Sequence, residues 1–212
     1  MSDARPSDTQ SVYERRAADY DAQRSRAFFE ARWLSRFADS LPQGGRVLDV
    51  GCGGGEPIAG WLIREGYQVT GTDFSEAMLD IARGRFPDGD WRLSDMRTLD
   101  LPDQFHGVIG WDSFFHLTPD EQRDTIPRLA RHLLPGGVLM ITVGHIAGEV
   151  TGTVGGETVY HASLSVEEYA RVMDNAGLRL IAYMAEDPYC DFHTIAMARK
   201  IESSDTNPAR TP

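Results

Sequence analysis

Along most of this chain, apolar runs of strand length alternate with stretches of helical period, and no other feature narrows its fold as far. The pairs are 46 to 50 with 57 to 65, 67 to 72 with 75 to 84, 106 to 111 with 119 to 133, and 138 to 143 with 165 to 176. Such alternation is the pattern of stacked βαβ units around a parallel sheet. A short third strand near Trp91 to Leu93 and two late runs, Leu178 to Met184 and His193 to Ala198, complete the set. The late runs are joined through Asp187-Pro188, a connection short enough to imply antiparallel pairing. The fold expected is α/β: a doubly wound, mostly parallel seven-stranded sheet with an antiparallel C-terminal strand pair and helices on both faces.

Helix punctuation agrees with this pattern. Ser75 and Thr118 are candidate caps, Pro119 stands where a first helical residue needs no N–H, and Ser165 with Glu168 predicts a capping box. Gly66, Gly84 and Gly177 follow the helical stretches, and Pro135-Gly136-Gly137 is read as a stop before the strand Val138 to Val143. Residues 11 to 41 read as two helices whose apolar face carries Phe28, Phe29, Trp33, Leu34 and Phe37. The polar ends, 1 to 10 and 203 to 212, are expected to be flexible around a single domain of 11 to 202.

Composition excludes several classes. With 41% hydrophobic residues and no apolar run near the ~20 residues of a membrane span, neither a membrane protein nor a signal peptide is indicated. A net charge of -11 without a Lys/Arg-rich run disfavours nucleic acid as a partner. The two cysteines, Cys52 and Cys190, lack metal-type spacing, so no metal is expected and the chain is placed in the cytoplasm. Oligomeric state is not legible.

The segment Val47-Leu48-Asp49-Val50-Gly51-Cys52-Gly53-Gly54-Gly55 runs a strand into glycines, which lets backbone approach a nucleotide-like ligand. A dinucleotide fingerprint starting at Gly51 wants a third glycine where Glu56 stands, and Asp49 would repel a pyrophosphate but hold an ammonium group. Asp73 follows at about the 20-residue separation at which an acid grips ribose hydroxyls. Asp95, after the third strand, is a carboxylate placed to accept from the exocyclic amino group of adenine.

Taken in order, Asp49 to Gly55, Gly71-Thr72-Asp73-Phe74-Ser75, Ser94-Asp95-Met96 and Leu134-Pro135-Gly136-Gly137 resemble the successive motifs of class I (Rossmann-like) S-adenosylmethionine-dependent methyltransferases, small-molecule type. The resemblance covers roughly residues 11 to 200. It implies that Asp49, Gly51, Gly53 and Gly55 cradle the methionine part of S-adenosyl-L-methionine, that Asp73 and Phe74 meet the ribose end, and that Asp95 and Met96 face adenine. Tyr13 and Tyr20 resemble the N-terminal tyrosines that cover the cofactor in small-molecule members. His106 departs from the family's usual Asp and puts a packing interaction in doubt.

Ligands of open α/β sheets bind outside the carboxyl ends of the strands, which singles out Trp111 at the end of the fourth strand. Trp111, His116, Tyr160 and His161 are expected to line the acceptor pocket, with His116 and His161 as candidate bases. His145 is expected on the same side, and His106 and His132 at the opposite end. The long segment 144 to 163 is read as a substrate-covering flap. Cys52 is read as a small filler. The function expected is methyl transfer from S-adenosyl-L-methionine to a small-molecule acceptor by in-line displacement; the alternatives are an NAD(P)-dependent oxidoreductase and a non-catalytic S-adenosylmethionine-binding module.

Overall fold

The computed structural model describes residues 5–202. The expected flexibility of 1 to 4 and of 203 to 212 lies outside them. Residues 5 to 10 are not loose: Pro6–Asp8 form a 3-10 turn and the first helix, α1, spans Thr9–Gln23. Thr9 is buried, because this turn packs on a later strand of a hairpin.

After α1 come α2 (Ala31–Ala38), β1 (Arg46–Val50), α3 (Ile58–Arg64), β2 (Gln68–Asp73), α4 (Glu76–Arg85) and β3 (Asp90–Leu93). The second half runs β4 (Phe105–Gly110), a 3-10 turn (Phe114–His116), α5 (Pro119–Arg131), β5 (Leu133–Val143), β6 (Gly148–Val154), β7 (Glu157–Ser163), α6 (Val166–Asn175), β8 (Leu178–Asp187) and β9 (His193–Lys200). The seven-stranded sheet has the order β3-β2-β1-β4-β5-β9-β8. β1 pairs in parallel with β2 and β4, whereas β9 pairs antiparallel with both β5 and β8. Strand order therefore reverses between β1 and β4, the switch point where an open α/β sheet leaves a crevice at its carboxyl edge.

Period-two alternation sends neighbouring residues to opposite faces. Val47 and Ile109 join the core under α2, α3 and α4, with Phe37, Leu62 and Leu79. Leu48 and Val108 join the core under α5 and α6, with Phe105, Ile126 and Tyr169. The apolar face expected of the N-terminal helices is real: Trp33, Leu34 and Phe37 are buried, and Phe28 and Phe29 pack partly buried against them.

Three local readings change. Gly84 lies inside α4 rather than after it, since the helix continues to Arg85. Pro135-Gly136-Gly137 lies within β5, where Gly136 takes a φ of 75° at an irregularity in pairing with β4. Ser165 accepts the Glu168 N–H, but the Glu168 carboxylate goes to Arg123, so the reciprocal half of that box is not made. The full box is at Thr118 and Glu121.

The 144 to 163 segment folds into a separate two-stranded sheet, β6 with β7. Val154 and Val159 of this hairpin close on Val12 and Tyr13 of α1. Gln122 fixes its inner end, donating to the Ala162 carbonyl at 2.8 Å and accepting from the Tyr169 hydroxyl at 2.6 Å. All of these groups are buried. Tyr169→Phe should leave the Gln122 oxygen without a donor and lower stability by about 1–3 kcal/mol in urea unfolding, with the m-value unchanged.

Candidate functional site

A cavity opens at the carboxyl edge of β1, β2 and β4, roofed by α1. Its floor is the turn after Val50. Gly51 and Gly53 have φ of 72° and 53°, a region that suits glycine. A Cβ on Gly51 would lie 2.3 Å from the Ser113 Cβ, so this glycine makes room for Ser113 as much as for a ligand. Ser113 in turn donates to the Val50 carbonyl at 2.8 Å and fastens the end of β4 onto that of β1. Gly55 does not line the cavity: a Cβ there would meet the rings of Phe86 and Trp91, and Gly54 lines it instead.

Two acids share the floor. Asp49 is 2% exposed and its Oδ2 has no hydrogen-bond partner among the described residues. Burial, reinforced by the Asp73 charge, pushes its carboxyl up to about 8. Asp73 accepts the Ser75 N–H on Oδ1 and the Gly53 N–H on Oδ2, both at 2.9 Å, which leaves each oxygen a further lone pair. Burial raises it to about 6 against those backbone donors. Phe74, Met96 and Asp95 line the cavity. The Asp95 carboxylate, however, is already engaged: Arg97 grips it through Nη2 at 2.5 Å and through its backbone N–H at 2.8 Å. An adenine amino group would have to share it. Cys52 lines the floor with its thiol pushed well up by burial, in keeping with a filler.

The roof carries Tyr13 and Tyr20, whose rings meet edge to face at 5.1 Å, with Phe74 at 6.1 Å from Tyr13. The far wall is Trp111, Asp112 and His116. Trp111 Nε1 is a buried donor without a partner among the described residues. His116 Nδ1 faces the Tyr160 carbonyl at 2.9 Å, so that nitrogen carries the proton; Nε2 then accepts from the Tyr13 hydroxyl at 2.9 Å. Burial lowers His116 to about 4 despite the carbonyl.

Tyr160 and His161 were expected in this pocket and do not line it. Tyr160 contributes its backbone carbonyl, while His161 sits in a neighbouring groove between the hairpin and β9, its ring 4.8 Å from that of His116. The alternation of β7 sends the two side chains to opposite faces, so at most one of them could have faced the cavity. His145 is half exposed, 3.9 Å from Glu186. His106 accepts the Arg46 N–H and His132 accepts that of Leu101, both at the opposite edge of the sheet, so the His106 departure costs no backbone partner.

Sequence reasoning missed Arg24 and Asp112. Arg24 stands four residues after Tyr20, one helical turn on, and so falls on the same face of the roof. Asp112 directly follows Trp111, and its φ of 52° is what turns it into the wall beside that ring.

A family model described as a methyltransferase domain matches residues 47–137, the stretch that supplies the glycine turn and Asp49, Asp73 and Asp95. Over this stretch the chain is similar to methyltransferase domains. It is 41% identical over 104 residues to trans-aconitate 2-methyltransferase of Variovorax paradoxus, a match covering 48% of the chain and 39% of that protein. It is 29% identical to a dTDP-3-amino-3,4,6-trideoxy-alpha-D-glucopyranose N,N-dimethyltransferase of Streptomyces venezuelae, covering 76% of the chain and 72% of the relative. The fold matches the CcbJ methyltransferase from Streptomyces caelestis with a TM-score of 0.72 at 21% identity, covering 90% and 98% of the two chains. For the first four curated relatives the match spans 39% to 55% of their length, about half. Among the described residues no helix is long and apolar enough to cross a membrane.

Proposed function

We propose that this chain carries a methyl group from S-adenosyl-L-methionine to a small-molecule acceptor by in-line displacement. The observation that carries the reading is Asp49: a carboxyl buried in the floor of a glycine turn, with one oxygen lacking a partner, calls for a cationic ligand group. An ammonium group answers that need and a pyrophosphate does not, which favours an amino-acid-bearing nucleoside over a dinucleotide. The unpartnered Trp111 N–H offers the complementary donor, and the free lone pairs of Asp73 suit ribose hydroxyls. When bound, the cofactor supplies a methyl group activated on a sulfonium.

The chain's own part is alignment and exclusion of water. Tyr13, Tyr20 and Phe74 close an aromatic roof, and Trp111 walls the side where an acceptor would approach. His116 presents a neutral Nε2 through the Tyr13 hydroxyl. A base this weak does not deprotonate a resting alcohol; it takes up the proton as the acceptor acidifies during transfer. Because burial holds His116 near 4, its contribution to turnover should stay flat from pH 5 to 8. His116→Ala should lower kcat about a hundredfold in steady-state assays, whereas His161→Ala, outside the cavity, should change it less than about twofold. The acidic chain makes a nucleic-acid acceptor unfavourable, and two buried free cysteines suit a reducing compartment such as the cytoplasm.

Calorimetry of the full chain with S-adenosylmethionine, S-adenosylhomocysteine and NAD tests the reading. Binding of the first two alone, followed by acceptor-dependent release of S-adenosylhomocysteine in a metabolite screen, is expected. Binding of NAD in their place would sink it.

A further inference from the structure

Behind the far wall lies a chain of buried charges that neither the glycine turn nor the His116 pair explains. Asp112 Oδ1 receives His193 Nε2 at 2.8 Å, and its Oδ2 receives Arg24 Nη2 at 3.1 Å. The same Arg24 nitrogen reaches Glu30 Oε1 at 2.7 Å, and Glu30 is wholly buried at the head of α2. On its other side, His193 Nδ1 faces the Cys190 carbonyl at 2.8 Å. A carbonyl and a carboxylate both accept only, so both ring nitrogens of His193 must carry hydrogen, and the ring is an imidazolium. That ring is stacked on Trp111 with centroids 5.5 Å apart and lies 5.4 Å from Phe29, so the cation is seated among aromatic rings.

Resting on the cofactor reading above, we propose that His193 is a positioning residue: by holding Asp112 and Trp111 in the wall, and Arg24 through Asp112, it fastens the roof helix over the cavity. Three distant segments meet at this point. Arg24 ends α1, which brings Tyr13 and Tyr20; Asp112 ends β4; His193 opens β9 after the turn from β8. Without the imidazolium, Asp112 keeps only Arg24, and Trp111 loses the ring against which it is stacked.

The device titrates. The charges acting on His193 are Asp112, just past β4, and Arg24, just past α1; Asp187 is its register partner on β8, Glu30 is reached through Arg24, Asp191 acts on the neighbouring Cys190, and neutral His116 and His161 lie beyond Asp112. Burial pulls His193 down, but the Asp112 hydrogen bond and charge outweigh it, and the ring ends above its ordinary value. Asp112 is likewise lifted by burial and brought lower overall by His193 and Arg24. As pH rises through the His193 value, Nε2 becomes a lone pair facing a carboxylate and the fastening lets go.

Nitrogen NMR of histidine-labelled full-length protein reads the ring directly. One ring, absent from His193→Gln, should show two N–H groups near neutral pH and lose one on alkaline titration; a single N–H at pH 6.5 overturns the proposal. Calorimetry with S-adenosylhomocysteine from pH 6 to 9 reads the consequence. Taking ratios of variant to wild-type dissociation constants cancels the titration of the ligand and of Asp49. His193→Phe should bind about tenfold more weakly at pH 6.5 and equal wild type at pH 9. His193→Gln, which keeps a donor for Asp112 without titrating, should match wild type at pH 6.5 and bind more tightly at pH 9. Ratios that do not change with pH overturn the inference. Wild type giving no binding heat at any pH would instead overturn the cofactor reading, and the NMR result would stand apart from it.

Discussion

Asp49→Asn should weaken S-adenosylmethionine binding by about a hundredfold or more and, at the same time, raise the Tm of the free protein. The first effect follows from removing one partner of a buried ion pair, a loss on the order of 3–5 kcal/mol. The second follows from the free site, where Asp49 has a buried oxygen without a partner and a carboxyl raised to about 8. The unfolded value is about 3.9. A raised folded value means that ionisation favours the unfolded chain: the cost is absent below pH 4, grows from there to pH 8 and is constant above. Asparagine does not ionise, so its advantage should open across that same window. At pH 8 linkage across that window amounts to about 5 kcal/mol, on the order of 10 to 20 °C in Tm for a chain of this size. Binding should also expel a proton from Asp49 below pH 8, visible as a calorimetric heat that changes with the buffer. A variant that loses affinity without gaining Tm would show that the carboxyl is satisfied in the free protein.

Gly51→Ala should be as damaging for a steric reason. Alanine at a φ of 72° is strained, and its Cβ would sit 2.3 Å from the Ser113 Cβ, a side chain tied to the Val50 carbonyl. Conformational strain and overpacking together amount to roughly 2–4 kcal/mol, a fall of about 5 to 15 °C in Tm. Ser113→Gly alone also loses the bond to the Val50 carbonyl, so the comparison is made within it: there Gly51→Ala should cost only the share due to φ. An equal cost of Gly51→Ala with and without Ser113 would remove Ser113 from the account.

The sheet was legible because buried parallel strands are continuous apolar runs and their helices carry caps at Ser75, Thr118 and Ser165. The floor of the site was legible for a similar reason: Asp49 and Asp73 follow strands, so their position along the chain fixes their position in space. Gly55 misled, because a run of glycines does not say which of them meets a ligand and which a ring such as Phe86. Tyr160 and His161 misled because strand alternation within the hairpin decides which residue faces in, and a hairpin register is not visible in a segment with five glycines. Arg24, Asp112 and His193 were beyond reach for another reason. They come from three segments 81 or more residues apart at the widest steps, and only their meeting gives each a role. Asp95 lines the cavity, but its pairing with Arg97 depends on a side-chain conformation that sequence does not encode.

The hairpin has a consequence for anyone wishing to re-engineer this domain. Its outer end is held by α1, as its inner end is by His116, Gln122 and Tyr169: Arg15 and Arg16 both hold Glu157, the Gly155 turn rests on the Arg16 stem, and Val154 and Val159 seat Tyr13. A chimera exchanging 144 to 163 alone would strand two arginines and unseat a roof tyrosine. The smallest portable unit is the hairpin together with the helix Thr9–Gln23 and the inner anchors His116, Gln122 and Tyr169, pieces far apart in the gene that have to travel as one.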